Sequence, residues 1–181
     1  MLYTGKLTKN SDILILGLGS EILTDDGLPL KIITDLKKDP AMRGLNYRTA
    51  NTGGLDLLDH LAGFRNVIII DTVITKQGKP GKVWFFNTQD SDCMDTFHLS
   101  SCHDATFQVT LALGRKICLP LPDQIWVLAI EIIQGLEFSR HSSEQIESVY
   151  PGILAEIKEN IDRTIRHQVV RSFKKIKESE L

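Results

Sequence analysis

Residues 13–27 read ILILGLGSEILTDDG, and the fold turns on how that stretch is interpreted. Ile13 to Leu16 run into Gly17-Leu18-Gly19 without polar alternation, as a strand does when both its faces are covered and it ends in a tight turn. A dinucleotide loop would continue with a third glycine and amides aimed at phosphate. Here Ser20-Glu21-Ile22-Leu23-Thr24 leads instead to Asp25 and Asp26 before Gly27. Two carboxylates in that place suit a metal ion rather than a phosphate.

Working outward, Val67-Ile68-Ile69-Ile70 and residues 125–132 (IWVLAIEI) repeat the apolar character of the first strand, and helical patterns lie between them. Leu28, Ile32 and Leu36 fall one turn apart behind Pro29, a residue tolerated at a helix start. Residues 54–63 suggest a short second helix with Leu55, Leu58 and Leu61 inward, and 103–117 a third. The alternation predicts an α/β three-layer sandwich, with a mostly parallel twisted sheet and helices on both faces. Between Asp71 and residues 83–86 (VWFF) the connection is too short for a parallel crossover, so an antiparallel hairpin is expected there. From Ser142 the chain reads as helix. Ser142 and Gln145 are spaced for a capping box, Pro151-Gly152 for a break, and Ile153, Ile157, Ile161 and Ile165 form an apolar ladder for the sheet.

The 181 residues, 42% hydrophobic, are enough for one core, and a single domain over 1–181 is expected, with its core at 12–165 between short N- and C-terminal extensions. A net charge of -2 argues against nucleic acid. No stretch has the length and apolarity of a membrane span or signal segment. Cys93, Cys102 and Cys118 form neither a disulfide framework nor a zinc knuckle, which fits a reducing cytoplasm.

In open α/β sheets ligands collect beyond the carboxyl ends of the strands. Asp25 and Asp26 follow the first strand, Asp71 ends the third, and His103 precedes a helix. A carboxylate at the end of an apolar run is partly withdrawn from water and needs a cation or donors to compensate it. Two carboxylates and one imidazole make a mixed oxygen and nitrogen set suited to nickel, zinc or iron. Each position also has a plain alternative. Asp25 and Asp26 would serve equally as caps of the helix near Leu28, and Asp71 as a strand-end aspartate holding loop amides. His98 is the rival to His103. Thr52-Gly53-Gly54 is a second glycine loop on the same sheet edge, suited either to close approach of a peptide or to a strand-to-helix turn.

Taken in order, Gly17-x-Gly19-x(4)-Leu23-Thr24-Asp25-Asp26-Gly27, Asn51-Thr52-Gly53-Gly54-Leu55-x-Leu57-Leu58, Ile69-Ile70-Asp71-Thr72 and Ser100 to His103 resemble the hydrogenase maturation endopeptidases. The likeness covers roughly residues 12 to 165. It implies an endopeptidase that removes the C-terminal extension of a nickel–iron hydrogenase large-subunit precursor after nickel insertion. Asp26, Asp71 and His103 match the positions that contact nickel, with Asp26 and Asp71 as the catalytic acids and Gly53 and Gly54 in a substrate loop. No permanently bound cofactor is implied, because the precursor supplies the nickel, and a cytoplasmic monomer is expected. The alternatives are a non-catalytic binding or chaperone module for a metalloprotein precursor, and a Rossmann-like nucleotide-binding protein. Ser20, where many relatives have asparagine, and Glu131-Ile132-Ile133-Gln134, without the proline turn expected after the last strand, depart from the pattern.

Overall fold

A computed structural model of the chain describes residues 13–75, 78–89, 107–133, 137–139 and 141–179, with side chains as far as His167. Five strands form one sheet: β1 (Ile13–Leu18), β2 (Asn46–Ala50), β3 (Asn66–Val73), β4 (Val83–Asn87) and β5 (Gln124–Glu131), in the order β2-β1-β3-β5-β4. The three contacts among β2, β1, β3 and β5 are parallel, and β4 alone runs antiparallel, against β5.

Helices cover both faces, because the inner strands are apolar on both. Toward one side Ile13, Ile15, Ile68, Ile70, Leu128 and Ile130 pack against α1 (Leu28–Lys38) and α4 (Glu144–Ser179). Toward the other, Leu14, Leu16, Val67, Ile69 and Val127 meet α2 (Leu57–Leu61) and α3 (Phe107–Lys116). The ladder on α4 behaves as its spacing requires. Ile153, Ile157 and Ile161 are buried, with Ile165 partly buried beside them. Each such side chain taken out of water contributes on the order of 1.5–3 kcal/mol.

Several sequence expectations need correction. The segment 74–82 does not join a hairpin, because β5 lies between β3 and β4 and β4 pairs with β5. The direction of β4 was legible, but its neighbour depends on a strand that comes later in the chain. The second helix spans Leu57–Leu61, so Leu57 turns inward and Leu55 stays in solvent. The cap of α4 is Ser143, not Ser142: its Oγ accepts from Ile146 N and its carbonyl from Glu147 N. Nor does Pro151 divide the helix, which runs unbroken from Glu144 to Ser179. Pro151 and Gly152 are both exposed, so water can reach the carbonyl that proline leaves without a donor.

Three polar ties at near-helical spacing fasten α1 and its C-terminal turn to α4. Lys31 pairs with Glu147 at 2.7 Å and lies over the Tyr150 ring, Tyr150 Oη donates to Asp35 at 2.7 Å, and Lys158 meets Asp39 at 2.6 Å. The Tyr150 hydroxyl, with Lys38, holds the Asp35 carboxyl below its ordinary range. A carboxylate whose folded pKa is depressed adds stability above its unfolded pKa, near 4, and loses it as pH falls through the folded value. Tyr150→Phe is therefore expected to raise the Asp35 pKa and move acid unfolding to higher pH. A carboxyl-resolved NMR titration beside a circular-dichroism acid titration checks both.

Candidate active site

The β1–α1 loop is shaped by its glycines. Gly19 has φ +154°, and a Cβ on it would stand 2.0 Å from the carbonyl oxygen of Asp26, so the loop folds back directly onto it. At Gly17 a Cβ would come within 2.7 Å of Ile33 Cγ1, which lets α1 lie close on β1. The first helix starts only at Leu28, well past Gly19. The glycines thus serve backbone packing, and the helix N-terminus does not open at the glycine turn as phosphate binding there would require.

The fold-back separates two adjacent acids. Asp25 is fully buried; its Oδ1 accepts from Ser143 N at 2.7 Å and its Oδ2 from Ser143 Oγ at 2.9 Å. It braces the start of α4 across the molecule. Asp26 is half-buried and turns the other way. Its Oδ2 accepts from Ser20 N at 2.9 Å, and its Oδ1 from Thr72 Oγ1 at 2.9 Å. Neither side chain caps α1, whose N-cap is Gly27 without a side-chain bond. The capping alternative therefore fails for the nearer helix, while Asp25 holds Ser143, the cap of the farther one, in place.

Asp71 lies inside β3 rather than at its end, because β3 stays paired with β5 as far as Val73 and Glu131. It is fully buried, and its Oδ1 accepts from Thr72 N at 2.7 Å. Strand alternation places Asp71 with Ile69 on the α2 and α3 side and Thr72 with Ile70 on the α1 and α4 side. Asp26 and Asp71 thus reach Thr72 from two sides, one held by its hydroxyl and the other by its amide. Thr72 belongs to the sequence motif, but nothing there foretold this bridging contact. A further donor to Asp26, the Ser20 amide, is backbone and carries no sequence signal.

Glu131 is the other acid at this edge, 1% exposed. Its carboxylate accepts from Thr75 N at 2.6 Å and Thr75 Oγ1 at 3.1 Å, fixing the connection that passes over the end of β5. The signal that singled out Asp71, a carboxylate closing an apolar run, was equally present at Ile130-Glu131.

The glycine loop after β2 opens onto the same edge. Gly53 is extended, and Gly54 has φ +57°, the left-handed conformation that glycine adopts without strain, as the chain turns into α2. His103, His98 and Cys102 lie outside the described residues. Among the described residues no group of three or more His, Cys, Asp or Glu stands close enough to hold a metal ion. No helix among them is long and apolar enough to cross a membrane.

The fold is shared with solved maturation peptidases. The hydrogenase maturating endopeptidase HybD from Escherichia coli superposes with a TM-score of 0.63 at 20% identity, over 84% of this chain and 93% of that one. A NiFe hydrogenase maturation protease HybD from Thermococcus kodakarensis gives 0.58 at 23% identity, over 82% and 97%. In sequence, the hydrogenase 2 maturation protease of Escherichia coli (strain K12) is 26% identical over 89 residues, 49% of this chain. The chain spans about half the length of that curated relative, 54%. The model of the HycI family, hydrogenase maturation protease, matches residues 31–171. The chain belongs to the hydrogenase maturation protease family. The matched span contains Asp71 and begins beyond Asp26, so the place of Asp26 rests on its geometry.

Proposed function

We propose that the chain is an endopeptidase that removes the C-terminal extension of a nickel–iron hydrogenase large-subunit precursor once nickel has been inserted. Family membership supports the reaction class. The observation that carries the site assignment is the bond from Thr72 Oγ1 to Asp26, which ties the β1–α1 loop acid to the residue that follows Asp71 at the carboxyl edge of the sheet. In this reading Asp26 and Asp71 are the catalytic acids and offer oxygen ligands to the nickel of the precursor, with His103 as a nitrogen donor. Gly53 and Gly54 line the approach of the substrate chain. The nickel belongs to the substrate, and the enzyme keeps no metal of its own. Held between precursor and enzyme, the ion withdraws electron density from the scissile carbonyl or from an attacking water. Cleavage then depends on a filled metal site in the substrate. The protein acts as a monomer in the cytoplasm, where its precursor is assembled.

The test is to incubate the protein with purified precursor, nickel-loaded and nickel-free, and follow its mass. The loaded precursor is expected to lose its C-terminal segment and the nickel-free one to stay intact. Cleavage of both forms alike would remove nickel from the mechanism. A stable complex with an uncut loaded precursor would mark a binding module instead.

A further inference from the structure

The connections leaving the carboxyl ends of four strands hold large apolar side chains in solvent. Ile22 after β1, Leu55 after β2, Ile74 after β3, and Ile133 and Phe138 after β5 are all at least 50% exposed, and Phe138 reaches 83%. A rim of this kind around a polar site suits a macromolecular partner better than a small solute.

Phe138 also has a particular backbone setting. Leu23 and Phe138 form an isolated antiparallel bridge, in which Thr24 N donates to the Glu137 carbonyl at 2.9 Å and Ser139 N donates to the Ile22 carbonyl at 3.1 Å. The residues flanking Phe138 make the bonds to the loop, so its own N–H and C=O point to the opposite side. Neither makes a hydrogen bond among the described residues. An open donor and acceptor on an extended segment form the edge to which an added strand attaches. Both strands of this ribbon lead into the Asp25–Ser143 brace, so the edge is tied to the loop that carries Asp26.

We propose that residues 137–139 are the edge on which the substrate polypeptide is laid as an extended strand. Phe138 gives and takes the two backbone hydrogen bonds, and its ring covers an apolar side chain of the substrate. The inference rests on the endopeptidase reading for the identity of the occupant. A second copy of the chain fits less well, because so short an edge falls far below the roughly 800 Å² per partner of a stable interface. An extended peptide needs only the edge and its pockets.

The experiment uses fluorescent synthetic peptides spanning the precursor C-terminal region, with binding measured by anisotropy, and processing kinetics measured separately on nickel-loaded precursor. Phe138→Pro removes the outward N–H without breaking an internal bond, so the melting temperature should hold. Peptide affinity should fall about fivefold to tenfold, and KM should rise by a similar factor with kcat unchanged. With the wild-type protein, N-methylation of the one peptide residue that donates to Phe138 should cost as much. Unchanged affinity and KM in a folded Phe138→Pro protein, or indifference to N-methylation throughout the peptide, would overturn the proposal. Binding and cutting fail separately: wild-type protein that binds peptide in a Phe138-dependent way but never cuts nickel-loaded precursor refutes the endopeptidase reading alone. Failure to bind any peptide overturns the edge, as does a dimer that Phe138→Pro converts to a monomer.

Discussion

Asp26→Asn is expected to lower processing of nickel-loaded precursor by roughly 10³-fold, in line with losing one preorganised charged group at a reacting centre. The substitution keeps the shape of the side chain and an oxygen that can still accept from Ser20 N or Thr72 Oγ1. What disappears is the negative charge, and with it the anionic ligand proposed for the substrate's nickel. Asp26 is half-buried and its loop is pinned independently by Gly19 and by the Asp25–Ser143 brace, so stability should move by less than about 1 kcal/mol. Rates from precursor mass shifts, set beside a thermal melt, separate the two effects. Wild-type rates in Asp26→Asn would remove this residue from the chemistry.

Its neighbour should give the opposite result. Asp25→Ala takes away a fully buried carboxylate and leaves the Ser143 amide and hydroxyl facing an apolar methyl. An unsatisfied buried donor costs about 1–3 kcal/mol, and more when the lost partner was charged, so a loss of roughly 2–4 kcal/mol is expected. For a chain of this size that is a fall in Tm on the order of 5–15 °C. Below its melting range the folded Asp25→Ala protein should still process precursor faster than Asp26→Asn. A Tm within a degree or so of wild type would show that the brace contributes little. Adjacent aspartates would then be told apart by one experiment each, one through rate and the other through stability.

The contrast shows where sequence reading runs out. Asp25 and Asp26 are the same residue type in the same loop, and apart from the family resemblance, which picks out Asp26, the two serve equally well as helix cap or metal ligand. Which acid turned toward Thr72 and which toward Ser143 depended on how Gly19 let the loop fold back, and on a helix start more than a hundred residues away. The role of Glu131 is hidden for a similar reason. Its partner Thr75 sits in a connection whose path depends on β4 pairing with β5, a strand later in the chain, and not with β3.

Local patterns were sufficient for much else. Unbroken apolar runs at Ile13–Leu16 and Val67–Ile70 required strands covered on both faces, and the spacing of Ile153, Ile157 and Ile161 required a helix lying on one of them. Those features depend on neighbours in the chain and on the periodicity of the backbone, and the amino-acid order contains both. Strand order, the bracing of Ser143 by Asp25 and the bond between Asp26 and Thr72 depend on contacts between segments far apart in sequence. Such contacts are selected by the packing of the whole sheet and its helices, so only the tertiary structure decided them.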